Sequence, residues 1–279
     1  MRVVPVRLAR KLTLQLGRVQ GAHPVVEAIR RRSTGLGVQE VVDFDGDLRM
    51  ALDLREQTAS EIFWFGYHSR AVVRCLDRLL QPGQVLFDIG ARFGEITLVA
   101  AKRVGRSGAV YAFEALETTH RKLAANVAAN RLEQVRRIPC GVDAVPGTRM
   151  VDARAGRYIG GTLAEGRGGA GRLTAQVQLT TIDAVVGHYR LERLDGIRLD
   201  LEGAGLPALR GAAAALRRFA PWLLIELSRA EPGIAPGELA EVLCGYRLHR
   251  IGPDGAIVPL DRRDFGEREV LLGLPARRG

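Results

Sequence analysis

The sequence predicts an α/β fold with a mostly parallel sheet and helices on both faces. Three observations lead there. Short apolar runs recur after Gln84, helical stretches separate them, and the runs end in carboxylates beside glycine-containing turns. Strands alternating with helices of this length imply βαβ units. Right-handed crossovers then place helices on both sides of the sheet.

The elements follow in order. Residues 1–80 read as a mostly helical extension, with apolar residues set among arginines, and 81–279 as the main domain. At ~150 residues per domain the length allows roughly two, or one domain with an addition. Val85–Ile89 reads as a buried strand, Ile96–Val104 as a helix, Ala109–Phe113 as a strand and Thr118–Asn130 as a helix. Leu194–Leu199, Trp222–Leu227, Arg247–Ile251 and Arg268–Leu274 are further strands, with helices over Leu206–Leu216 and Pro236–Leu243. Gly156–Gly171 holds seven glycines in sixteen residues, which reads as a loop, either an active-site lid or a surface insertion.

Composition narrows the function classes. Hydrophobic residues are 47% and charged residues 26%, so the chain folds around a sizeable core. Cys75, Cys140 and Cys244 are far apart and form no Cys-x-x-Cys pair, which argues against a disulfide framework or zinc finger. The longest apolar run, Phe219–Leu227, is interrupted by Pro221 and Glu226 and is too short to span a membrane. The N-terminus has basic residues but no apolar core of a signal peptide. A cytoplasmic protein without a transmembrane segment is expected. The net charge is +10, and all but three of the 41 basic residues are arginine. Residues 1–36 hold eight basic residues and one acid, Glu27. Most of the excess therefore lies outside the main domain.

The chemistry is concentrated in three places. The first is Asp88-Ile89-Gly90-Ala91-Arg92-Phe93-Gly94-Glu95, directly after a strand and opening a helix. Glycines there let a ligand approach the backbone near a helix N-terminus. A P-loop is excluded by the missing Gly-Lys-Ser/Thr, and a dinucleotide fingerprint by the Gly90-x-x-x-Gly94 spacing. S-adenosylmethionine has no pyrophosphate and suits a site with less glycine and a nearby acid. The second is Glu114, which ends the next strand. A carboxylate there can accept both hydrogen bonds of a ribose diol, or serve as a helix N-terminal acid. The third is Ile197-Arg198-Leu199-Asp200-Leu201-Glu202-Gly203-Ala204. Its two carboxylates at i, i+2 can orient a substrate, act as a base, or cap the next helix. Two carboxylates are too few to specify a metal ion, and none is expected.

These segments, in this order, resemble the FkbM family of S-adenosylmethionine-dependent methyltransferases, over roughly Phe65–Leu227. The family loop D-x-G-A-N-x-G-x-x-T is matched by Asp88, Gly90, Ala91, Gly94 and Thr97. Ser107-Gly108-x-Val110-Tyr111-Ala112-Phe113-Glu114 matches S-G-x-V-Y-A-F-E, and Leu123, Asn126 and Asn130 match L-x-x-N-x-x-x-N. Thr181-Ile182-Asp183 resembles T-L-D, Ile197–Ala204 resembles I-K-I-D-V-E-G-A, and Leu209-x-Gly211 and Pro221–Glu226 match the next helix and strand. The resemblance implies a Rossmann-like class I methyltransferase fold with a mostly parallel seven-stranded sheet. It implies S-adenosyl-L-methionine bound by Asp88, Gly90, Ala91, Gly94, Thr97, Glu114 and Asp143. It further implies O-methylation of a hydroxyl on a sugar or secondary metabolite. Such a hydroxyl is weakly acidic and needs a base, for which Asp200 and Glu202 are the candidates. His68, in the segment read as a cap, is next, followed by His188.

Three positions depart from the pattern. Arg92 stands for asparagine, Ala115 for proline and Gly205 for a second glutamate. They support an alternative, a catalytically degenerate methyltransferase fold acting as a binding or scaffold protein. A nucleic-acid methyltransferase is disfavoured, because aromatics total only 5%, leaving few stacking platforms for bases. A nicotinamide oxidoreductase is disfavoured by the missing G-x-G-x-x-G. The sequence leaves a homo-oligomer open.

Overall fold

The computed structural model describes residues 6–16, 23–33, 35–152, 174–200, 205–227, 238, 241–261 and 269–276. The chain forms two compact units, Met1–Arg70 with Ala125–Arg131, and Ala71–Ala124 with Leu132–Gly279.

The first unit contains α1 (Val6–Leu16), α2 (His23–Arg32), β1 (Val38–Phe44), β2 (Leu48–Asp53) and α3 (Gln57–Phe65). Its helices were expected; the β1–β2 hairpin was not. In β2 the side chains alternate, with Leu48, Met50 and Leu52 buried and Arg49 and Ala51 exposed, the pattern of a strand with one covered face. The turn is made by Asp45 and Gly46 at φ 50° and 98°, as a tight hairpin requires. The free edge of β2 is satisfied by two carboxamides. Asn126 Oδ1 accepts from the Ala51 amide at 2.8 Å, and Asn130 Oδ1 accepts from that of Arg49 at 2.7 Å. The two asparagines of the matched helix therefore have a structural task.

The second unit opens with α4 (Arg70–Leu79), of which only Arg70 belongs to the first. In order come β3 (Val85–Ile89), α5 (Glu95–Val104), β4 (Ala109–Phe113), α6 (Glu117–Ala129) and β5 (Val135–Ile138). Next are β6 (Gly141–Val142), β7 (Gly147–Asp152), β8 (Thr174–Thr180), α7 (Ile182–His188), β9 (Gly196–Leu199), α8 (Gly205–Arg210) and α9 (Ala213–Phe219). Last are β10 (Trp222–Leu227), β11 (Tyr246–Ile251), β12 (Ile257–Pro259) and β13 (Glu269–Pro275). The large sheet runs β12-β11-β13-β10-β9-β3-β4-β5. Its pairs from β10 to β5 are parallel, and β13, β11 and β12 are joined antiparallel. This is the expected Rossmann-like α/β arrangement, with helices between the parallel strands. Eight strands are present where seven were expected, because β12 folds back on β11 as a three-residue edge strand. All four residues of β9 are buried, as are four of the five in β3, so both faces of the sheet centre are covered. Phe87, Tyr111 and Phe113 form the aromatic part of this core, Phe87 lying 5.1 Å and 5.3 Å from the other two rings.

A separate three-stranded sheet, β6-β8-β7, has its own small core of Leu116, Val151, Val177 and Leu179. The glycine-rich stretch Gly156–Gly171 lies outside the described residues, as does half of the helix expected at Pro236–Leu243. The helix expected over Leu206–Leu216 is split into α8 and α9. Asp183 explains the break: its carboxylate accepts from the Ala214 and Ala215 amides at 2.9 and 2.8 Å and caps α9. Thr181 caps α7 in the same way, accepting from the Ala184 amide at 3.0 Å. The Thr181-Ile182-Asp183 element is thus a pair of helix caps.

Candidate active site

Strand order reverses between β3 and β9. Open α/β sheets bind ligands outside the carboxyl ends of the strands at such a switch point. The ends of β3, β4 and β9 carry Asp88, Glu114 and Asp200.

The loop after β3 is fixed by backbone geometry. Gly90 sits at φ +80°, and a Cβ there would lie 2.1 Å from the Asp200 carbonyl oxygen. Only glycine lets β3 and β9 approach this closely. The Gly90 and Ala91 amides both donate to the Phe113 carbonyl, at 3.1 and 2.9 Å. Arg92 follows at φ 53°, a left-handed conformation that asparagine tolerates and most other side chains resist. This explains the family's asparagine at this position. The Arg92 amide donates to Glu114 Oε2 at 3.0 Å, so the loop keeps its shape with arginine in place. Gly94, at φ +105°, then starts α5.

Glu114 is buried, and its Oε1 accepts from the Leu116 amide at 2.9 Å. Each carboxylate oxygen therefore uses one acceptor position on the backbone and keeps another. Burial raises the Glu114 carboxyl above its ordinary range, against the pull of the Leu116 and Arg92 amides. Asp143, beyond the end of β5, is also buried, and its Oδ1 accepts from the Ala144 amide at 2.6 Å. Its Oδ2 lies 2.9 Å from Arg149 Nη2, an ion-pair distance, but accepts no hydrogen bond of proper angle.

Asp88 and Thr97 face inward. Asp88 is fully buried, with Oδ2 accepting from Thr97 Oγ1 at 2.5 Å and Oδ1 from Arg198 Nη1 at 3.1 Å. Their contribution is to brace the loop from beneath. Burial pushes the Asp88 carboxyl up, opposed first by Arg198 and then by Thr97. Arg198 is the hub. Besides Asp88 it reaches Asp200 Oδ2 at 3.0 Å, Glu226 Oε1 at 2.9 Å through Nε, and the Gly90 carbonyl at 3.2 Å. Burial alone would lower its pKa. Glu226, Asp200 and Asp88 outweigh burial and hold the guanidinium above its ordinary value. The Asp200 side chain is 28% exposed, so it is both tied to the hub and open to a ligand. The sequence reading did not assign Glu226 or the hub role of Arg198. Their signal was a single charge inside each of two otherwise apolar runs.

Two other candidates fall elsewhere. His68 belongs to the first unit, where its Nδ1 lies 2.5 Å from Glu61 Oε2. Glu202 lies outside the described residues, with Gly203 and Ala204. Among the described residues, no three His, Cys, Asp or Glu side chains are grouped to hold a metal ion.

The sequence profile of the methyltransferase FkbM domain matches residues 88–248. The chain belongs to the FkbM methyltransferase family. The match takes in every one of these strand ends. This FkbM chain is 45% identical over 56 residues to ribosomal RNA large subunit methyltransferase E of Neisseria meningitidis, a stretch covering 18% of this chain and 27% of that protein. It thus spans only about a quarter of the curated relatives it matches. Among solved structures, the methyltransferase FkbM from Methylobacillus flagellatus KT is 15% identical, with TM-score 0.46, covering 90% of this chain and 58% of that one. A fibrillarin from Aeropyrum pernix with natively bound S-adenosyl-L-methionine is 13% identical, with TM-score 0.41, covering 73% and 75%.

The polar groups present fit S-adenosylmethionine, the cofactor expected from the sequence. The molecule offers a ribose diol and an amino-bearing base, both hydrogen-bond donors. Glu114 has two acceptor positions to spare. Buried acceptors of this kind are costly unless a donor meets them.

Proposed function

We propose that this methyltransferase transfers its methyl group to a hydroxyl oxygen of a sugar or other small metabolite in the cytoplasm. Residues 81–279 would form the catalytic domain and 1–80 an extension. The observation that carries the reading is the Arg198 hub, which ties Asp200 to the loop that Gly90 and Glu114 shape.

In this reading Glu114 accepts the ribose diol and Asp143 accepts from the base, while Gly90, Ala91 and Gly94 leave room at the backbone. Asp88 and Thr97 hold that loop from below. When bound, S-adenosylmethionine supplies a methyl group on a sulfonium for in-line displacement. Asp200, fixed on one oxygen by Arg198, accepts the hydrogen bond of the incoming hydroxyl and orients it. Glu202, two residues on, takes its proton as the new bond forms. Positioning of this kind supplies much of the rate in group transfer.

Calorimetry with S-adenosylhomocysteine tests the cofactor site. Glu114→Ala should weaken binding by about 1–3 kcal/mol. A folded protein with no binding below millimolar would support the degenerate alternative. Labelled-methyl transfer into a panel of sugars and small hydroxyl compounds tests the acceptor. An RNA acceptor is a second reading, favoured by the match to a ribosomal RNA methyltransferase and the net charge of +10. RNA affinity falling steeply as salt rises would support it.

A further inference from the structure

Helix α1 is turned inside out. Its buried side carries Arg10 and Thr13, 7% and 0% exposed, while Leu8, Leu12 and Leu16 are 51%, 49% and 38% exposed. The polar side is well used. Arg10 Nη1 donates to Asp43 Oδ1 at 2.6 Å, the guanidinium stacks 5.4 Å from the Phe63 ring centre, and Thr13 Oγ1 donates to the Arg10 carbonyl at 2.8 Å. The orientation is therefore fixed by specific contacts. The three leucines recur at i, i+4, i+8 and share one helical face, with exposed Lys11 beside them.

Such a stripe on a folded surface marks an interaction site. Charge selects the occupant. Among the described basic residues of 1–36, Arg10 pairs with Asp43 and Arg30 and Arg31 pair with Glu27, while Lys11 and Arg32 are exposed. A second copy would bring the same positive charge against itself. An anionic lipid surface offers both what the leucines and what the cations need. The helix is 11 residues, about 16 Å long, and no helix among the described residues is long and apolar enough to cross a membrane. It has the dimensions to lie along a surface. We propose that α1 docks this protein on anionic membranes, its leucines in the headgroup boundary and Lys11 and Arg32 at the phosphates.

The test is co-flotation of the full chain with phosphatidylcholine vesicles, with and without phosphatidylglycerol. Binding should require phosphatidylglycerol and weaken as salt rises. Leu8→Glu, Leu12→Glu and Leu16→Glu together should reduce binding roughly tenfold or more without changing the melting temperature, because the positions are exposed. Lys11→Glu with Arg32→Glu keeps the leucines and should also reduce it, by about fivefold per charge. Absence of wild-type binding, or binding equal with and without phosphatidylglycerol, overturns the proposal. So does a dimer, seen by sedimentation, that the leucine variant abolishes.

Discussion

Arg198→Met should be the most damaging conservative-sized change in the second unit. The side chain it replaces is 4% exposed and meets three carboxylates. The loss is unequal among them. Asp200 and Glu226 are 28% and 20% exposed and can turn to water, but Asp88 is 0% exposed and would keep only Thr97. Removing one partner of a buried ion pair costs about 3–5 kcal/mol, because it strands the other charge. Asp88 dominates that cost. Urea unfolding at neutral pH measures it; for a domain near 200 residues the melting temperature should fall by about 10 °C. The pH dependence separates this mechanism from simple loss of packing. Without Arg198 the folded-state pKa of Asp88 rises further above its unfolded value. Stability relative to wild type should therefore recover as pH falls through that raised value, and be lost again as pH rises. Asp88→Asn in the Arg198→Met background should restore part of it at neutral pH. A loss below about 1 kcal/mol, or one flat with pH, would refute the argument.

Three further outcomes are expected. Gly90→Ala places a methyl against the Asp200 carbonyl at φ +80°, so stability should fall by about 1–3 kcal/mol and S-adenosylhomocysteine affinity with it, read by denaturation and calorimetry. Arg92→Asn relieves a non-glycine left-handed residue at φ 53° and should raise stability by about 1 kcal/mol in the same denaturation assay; a decrease would mean the arginine side chain contributes more than its backbone costs. Glu114 must be ionised to accept a diol, and burial raises its pKa. S-adenosylhomocysteine affinity should therefore begin to fall, on acidification, above the ordinary glutamate range, while Glu114→Gln should show a weaker pH response by calorimetry across the same series.

The centre of the fold was legible because buried parallel strands are continuous apolar runs. Ala109–Phe113 and Trp222–Leu227 were bounded to the residue. The site loop was legible because Gly90 and Glu114 answer to backbone geometry, which leaves a fixed spacing. The hairpin was missed although its signals were present: Asp45-Gly46 between runs, and alternation in Leu48–Asp53. The β6-β8-β7 sheet was hidden for a different reason. Its partners β7 and β8 pair across residues 153–173, and short strands joined at such distance carry no local sign of each other. The hub was unreadable as a unit, since Asp88, Arg198 and Glu226 meet only when three strands align.

The two rims of the large sheet bear on how this protein behaves in a crowded solution. A sheet rim is a template for any other extended chain. One rim here is β5, four residues long, with Arg136 and Arg137 both exposed. Strands of a second molecule laid there would meet like charge. The other is β12, three residues ending in Pro259, which has no amide hydrogen to offer a newcomer. The unexpected eighth strand thus closes the β11 rim with one that cannot easily be extended, and the protein gains resistance to edge-to-edge aggregation from a three-residue element.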